Sequence, residues 1–171
     1  EGAESLEAAR HAQIVVLTVP YAAQLDTARR LKPALDGKIF VDVTVPLVPP
    51  QVSRVQLPEE HSCVVKLQRE LGTGVRVVSA FQNVSAVHLR NPHHRLDCDV
   101  LVCGDDAEAR EQVVVLARAA GMVAWHAGAL ANSAAAEALT SVLIAINKRY
   151  KVAGAGIRIT GVPAPDASSA T

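Results

Sequence analysis

Ile14-Val15-Val16-Leu17-Thr18-Val19-Pro20 and Ile39-Phe40-Val41-Asp42-Val43-Thr44-Val45 decide the fold class of this chain. Both are short apolar runs rich in β-branched residues and bounded by turn formers, as strands buried on both faces are. Between them Leu25, Ala28, Leu31 and Leu35 recur at helical spacing, so residues 21–35 read as a helix closed by Gly37. Pro20 ends the first strand, and Pro33 weakens the last helical turn. Two strands joined through a helix read as parallel neighbours, because a parallel pair needs a crossover of that length.

The same alternation extends outward. Residues 5–12 read as the end of a helix, and Pro46, Pro49 and Pro50 mark a loop after the second strand. Pro58-Glu59-Glu60 reads as the start of a helix, with acid where the macrodipole favours it, ending near Gly72. Val75 to Phe81 is a strand, Ser85 to Leu89 a short helix and Asn91 to Arg95 a surface loop. Asp99 to Cys103 is a strand, Asp105 or Asp106 caps a helix reaching Gly121, and Met122 to Ala127 is another strand. Asn132 or Ser133 caps the longest helix, to about Tyr150, and Ile157 to Val162 adds a last short strand. The expected fold is α/β and doubly wound, a mostly parallel sheet covered by helices on both sides. It spans residues 1–162, followed by a loose tail over 163–171.

Composition narrows the function. The 171 residues suit one domain, half of them hydrophobic and a fifth charged. Seventeen basic and seventeen acidic residues balance, and aromatics are 3%, so neither a polyanion-binding surface nor a base-stacking platform is expected. The odd, unpaired Cys63, Cys98 and Cys103 read as buried thiols of a reducing compartment. No apolar run is read as a membrane span, and the acidic start Glu1-Gly2-Ala3-Glu4 is no signal peptide. A cytoplasmic protein is expected. Opening on Glu1 without an initiator Met, the chain reads as processed or as a piece of a longer one.

In such sheets ligands bind beyond the carboxyl ends of the strands. The expected ends are Thr18-Val19-Pro20, Thr44-Val45-Pro46, Phe81-Gln82-Asn83, Cys103-Gly104 and Ala127-Gly128. They are small, apolar or neutral, with no general base, paired nucleophile or carboxylate cluster. Such a crevice suits chemistry brought by cofactors, for which the protein supplies shape and dryness; simple tight turns are the alternative. His93, His94 and Asp97 make a poor metal set, because adjacent histidines on a Pro-flanked loop point apart. His126, beside Trp125 at a strand end, reads as a hydrogen-bonded structural residue, with contact to a ligand as the alternative. Ser133 lacks a nucleophile elbow, and neither Gly72-Thr73-Gly74 nor Gly154-Ala155-Gly156 sits between a strand and a helix as a dinucleotide turn does. Between Glu137 and Asp166 there is no acid, while Lys148, Arg149, Lys151 and Arg158 are basic: a solvated helix end, or a docking patch for a polyanionic tail.

Several segments together resemble one family. Leu17-Thr18-Val19-Pro20-Tyr21, Val45-Pro46-Leu47-Val48-Pro49, Cys98 through Asp106, Ala127 through Ser133, Glu137-Ala138-Leu139-Thr140 and Gly156-Ile157-Arg158-Ile159 fall in the order seen in NADPH-dependent coenzyme F-420 reductases. The resemblance covers almost the whole chain, corresponding to roughly the last three quarters of a family member. It implies a Rossmann-like NAD(P)-binding fold with a small C-terminal extension, and hydride transfer between NADP and the 5-deazaflavin coenzyme F-420. Both molecules are thus the expected cofactors and small-molecule partners, with a homodimer as the expected assembly. By position, Thr18, Val19, Pro20 and Tyr21 match the loop beside NADP, and Ala86 a contact near the nicotinamide. Val48, Pro50, Gln82, Val84 and Ala155 match positions around the deazaflavin, with Asn83 beside them. The family's first strand and Gly-rich phosphate turn would precede Glu1, so the fold is expected to be N-terminally truncated. Gln82 stands where many relatives carry His, and Ala129 where they carry Pro. The other readings are a related NADP-dependent flavin or metal reductase domain, and a non-catalytic cofactor-binding or dimerisation remnant.

Overall fold

A computed structural model describes residues 2–89 and 96–163. The first strand–helix–strand unit forms as its pattern requires. β1 (Ile14–Leu17) is followed by a 3-10 turn at Tyr21–Ala23, α2 (Gln24–Leu31), a second 3-10 turn at Lys32–Ala34, and β2 (Ile39–Asp42). Pro33 converts the last turn to 3-10 geometry, and Gly37 takes the positive φ (69°) that releases the chain into β2. Ahead of this unit lies α1 (Ser5–His11). After it come α3 (Cys63–Leu71), β3 (Arg76–Ser79), α4 (Ala86–Leu89), β4 (Asp99–Gly104), α5 (Ala107–Ala119), β5 (Val123–His126) and α6 (Ser133–Tyr150).

The strands form one five-stranded sheet in the order β1-β2-β3-β4-β5. Alternation along the buried strands sends neighbouring residues to opposite faces. Phe40 and Val77 join α1, α2 and α3 in one apolar core, while Val41 and Val78 join α5 in the other. Helices therefore cover both faces, as expected of a doubly wound sheet.

Direction is where sequence and structure part. β1, β2 and β3 are parallel, but β3 pairs with β4 antiparallel, Ser79 opposite Cys103, and β5 is parallel to β4. The carboxyl ends Cys103-Gly104 and Ala127-Gly128 thus face away from the crevice to which their strand-end position assigned them. In their place stands the amino end of β4, at Asp99.

Other boundaries shift for local reasons. α3 begins at Cys63 instead of at Pro58-Glu59-Glu60, because His61 adopts a positive φ (63°) and the Ser62 side chain accepts from the Val65 N–H (3.1 Å). Asn132 stands at the N-cap position of α6, but its side chain makes no capping hydrogen bond; a 3-10 turn at Leu130–Asn132 feeds into the helix, and the Ser133 hydroxyl donates to the Leu130 carbonyl (2.5 Å). Ile157 to Val162 forms no strand, although the Asp99 N–H donates to the Ile157 carbonyl (2.8 Å) at the start of β4. The reading also missed that Leu130–Tyr150 is long and apolar enough (mean hydropathy 1.3) to span a bilayer. Its inner row, Ser133, Ala136, Glu137, Ser141 and Leu143, is nonetheless buried in the fold. The Asn91–Arg95 loop, His93, His94 and the tail beyond Pro163 lie outside the described residues.

Candidate functional site

The three parallel strands place their carboxyl ends side by side. Val43 N–H donates to the Leu17 carbonyl and Ala80 N–H to the Asp42 carbonyl (both 3.3 Å), so the ladder runs on into the loops. Thr18, Val19, Pro20 and Tyr21 leave β1, Val48 and Pro50 lie in the loop after β2, and Gln82, Asn83 and Val84 follow β3. Ala86 opens α4. Ala155 arrives from the far end of the chain, and the Ser85 hydroxyl reaches the Ala153 carbonyl (3.4 Å) beside it. Residues scattered in sequence are gathered along one sheet edge.

The turn after β3 carries strain. Phe81 takes a φ of 70°, a conformation disfavoured for a bulky side chain, and the Val84 N–H closes the turn on the Phe81 carbonyl (3.0 Å). This bends Gln82 and Asn83 inward, where each is 4% exposed. Their amide nitrogens are engaged, Gln82 Nε2 by the Asp42 carbonyl (2.9 Å) and Asn83 Nδ2 by the Asp99 carbonyl (2.7 Å). Gln82 Oε1 and Asn83 Oδ1 are buried without a partner. Thr140 on α6 locks the turn from behind, its hydroxyl donating to the Gln82 carbonyl (2.8 Å).

Beneath the neutral rim lies a polar layer that the sequence reading missed. The Asp42 carboxylate is fully buried and accepts from Thr44 N–H (3.0 Å), the Thr44 hydroxyl (3.1 Å) and the Gln24 amide. Burial pushes it up to about 6, against the opposing pull of those donors. Glu137 on α6 is buried too, accepting from the Ser62 hydroxyl (2.6 Å) and from the Cys63 (2.8 Å) and Val64 (3.3 Å) N–H groups. Burial raises its carboxyl as well, while these donors hold it down. Both acids sit under the crevice, bound to protein groups. An acid inside the apolar run Ile39-Phe40-Val41-Asp42 was the visible signal for one of them.

Cys63 and Cys103 are buried and Cys98 is partly so; burial raises all three thiols, Cys103 to about 11, as fits inert cysteines. His126 shares a proton-bearing contact with Glu111 (2.8 Å) at the surface. Among the described residues no group of three or more metal-ligating side chains comes together.

Beside Thr18 and Val19, a groove of about 340 Å³ runs along the outer edge of β1, lined by Ala8, Ala9, Ala12 and Val15 among others. Among the described strands β1 pairs with β2 alone.

The chain resembles known proteins. The family described as "NADP oxidoreductase coenzyme F420-dependent" matches residues 1–46. An F420-dependent NADP reductase of Methanocaldococcus jannaschii is 40% identical over 165 residues, 94% of this chain and 74% of that protein. The one from Methanothermobacter thermautotrophicus is 38% identical over 170 residues, 95% of this chain and 72% of that protein. A crystal structure from Arthrobacter sp. FB24, described as an F420-dependent NADP reductase, superposes with a TM-score of 0.78 at 26% identity, covering 92% of this chain and 74% of that one. With its mostly parallel Rossmann-like sheet and identity to these relatives along nearly its whole length, the chain belongs to the family of F420-dependent NADP reductases.

Proposed function

We infer that this chain is an oxidoreductase that passes hydride between NADP(H) and coenzyme F-420, with the crevice along β1, β2 and β3 as the place where the two rings meet. When bound, the pair supplies the redox chemistry: NADPH gives up a hydride and becomes NADP+, and the oxidised deazaflavin takes it up with one proton from solvent. The observation that carries the reading is the pair of orphaned, buried amide oxygens at Gln82 and Asn83, at the edge where the family resemblance puts the deazaflavin. A pyrimidine edge bears N–H groups able to satisfy such acceptors, and a buried acceptor without a partner is costly.

The residues of the chain shape and orient. Val48 and Pro50 present an apolar wall, Val84 and Ala155 a small one, and Gln82 and Asn83 the polar contacts. Thr18, Val19, Pro20, Tyr21 and Ala86 form the side assigned to NADP. These neutral groups let planar rings approach to the ~3–3.5 Å that transfer requires, and they exclude water. Among the described residues no Gly-rich turn links a strand to a helix N-terminus, so no pyrophosphate contact is assigned to them. The test is to mix the protein with NADPH and oxidised F-420 and follow loss of the deazaflavin's visible absorbance, with riboflavin as control. Loss with F-420 alone supports the reading. Equal loss with riboflavin favours a general flavin reductase, and failure to bind F-420 at all would remove the reading.

A further inference from the structure

Over the described residues 151–163, the segment after α6 has no regular secondary structure, yet its path is tied to α6 and β4 at several points. α6 ends with Lys151 at a φ of 54°, and Val152 N–H returns to the Asn147 carbonyl (3.2 Å). The Asn147 side chain then reaches past the helix end, its Oδ1 accepting from the Ala155 N–H (2.7 Å). Gly156 lies so close to Cys98 that an added Cβ would stand 2.4 Å from the Cys98 Cβ, so only glycine fits there. Beyond it the Asp99 carboxylate accepts from Ile159 N–H (2.7 Å) and, on the same oxygen, from the Trp125 indole N–H (2.8 Å). Asp99 N–H donates to the Ile157 carbonyl (2.8 Å), and Arg158 pairs with Asp97 at the surface.

A strap without its own ladder is costly to order, and a chain end left free would fluctuate. Here two side chains fix it: Asn147 on α6 holds Ala155 itself, and Asp99 on β4 holds Ile159 beyond it. We propose that Asn147 is a positioning residue for the deazaflavin: by holding the Ala155 N–H it sets the strap as the outer wall of the crevice. This inference rests on the functional reading above. Asp99 anchors the far end of the strap and ties it to Trp125, the single tryptophan of the chain. Trp125 emission therefore reports the state of the strap without any turnover.

The test compares wild type with Asn147→Ala and Asn147→Asp, the latter keeping an acceptor at Oδ1. Three readouts are taken: amide hydrogen exchange at Ala155, Trp125 emission, and the dissociation constant for F-420 by equilibrium binding. Asn147→Ala is expected to speed Ala155 exchange, alter Trp125 emission and weaken F-420 binding by about tenfold. Asn147→Asp is expected to restore all three. A freed Ala155 amide with unchanged F-420 affinity would overturn the positioning role, as would unchanged exchange in Asn147→Ala. If wild type itself binds no F-420, the functional reading falls, and the positioning role falls with it; the wild-type arm separates the two failures.

Discussion

Asp42 is the residue at which burial bears most directly on pH. Its carboxyl is raised from 3.8 to about 6 because no solvent reaches it, so the folded chain holds the proton more tightly than the unfolded chain does. The stabilisation this gives is fully present below pH 3.8 and is lost as the pH rises through about 6. A change of this size is worth at most about 3 kcal/mol. Asp42→Asn removes the titration; Gln24, whose Nε2 faces the carboxylate, must turn its amide over so that its otherwise unpartnered Oε1 accepts from the new side chain. We expect the variant's melting temperature to vary less than that of wild type between pH 4.5 and 7, and to exceed it at pH 7. Some slope should persist, because Glu137 is raised as well. Equal slopes in the two proteins would show that Asp42 does not titrate in this range.

At the scale of elements, Glu137 explains a boundary that local sequence could not reveal. Its carboxylate holds the first N–H groups of α3 from 74 and 73 positions away in the chain, and Ser62 completes the cap. Glu137→Ala leaves two buried N–H groups and a hydroxyl unpaired, a loss of about 4 kcal/mol. Glu137→Gln keeps an acceptor and should cost less, and Ser62→Ala about 1 kcal/mol. Urea unfolding gives the order; a cost for Glu137→Ala no larger than for Ser62→Ala would dismiss the tie. Pro58-Glu59-Glu60 has the composition of a helix start, but the partner that selects Cys63 lies on another helix. Strand direction was hidden likewise, since the period-two pattern of Asp99 to Cys103 is the same in either orientation. Apolar runs, Gly37, Gly72 and Asp106 were legible because their effects are local. For the proposed crevice rim, the resemblance names Val48, Gln82 and Ala155. The layer under it was not legible, nor was the strap's anchor: Asp42, Thr44 and Gln24, and separately Asn147, gain meaning only through contacts across the fold.

On the whole molecule the charges cancel in number but not in place. Lys148, Arg149 and Lys151 crowd the carboxyl end of α6, where cations suit the dipole, and Lys148 Nζ reaches Ser53 (3.3 Å) in the loop that also carries Val48 and Pro50. The loop and the helix end thus meet at the mouth of the proposed deazaflavin crevice. Coenzyme F-420 bears an anionic phosphate and glutamate tail, and a neutral protein can attract it only through a local field such as this. If the patch served the helix dipole alone, replacing Lys148 and Arg149 with Ala would cost a few tenths of a kcal/mol of stability and leave binding untouched. If it receives the tail, the double variant raises the dissociation constant for F-420 and flattens its dependence on salt, because fewer screened contacts remain to be lost. Titration of F-420 at 50 and 300 mM salt decides between them, and an unchanged salt slope would assign the patch to α6 alone. The proposed crevice rim carries no charge in either case, so the maximal rate at saturating F-420 should stay the same.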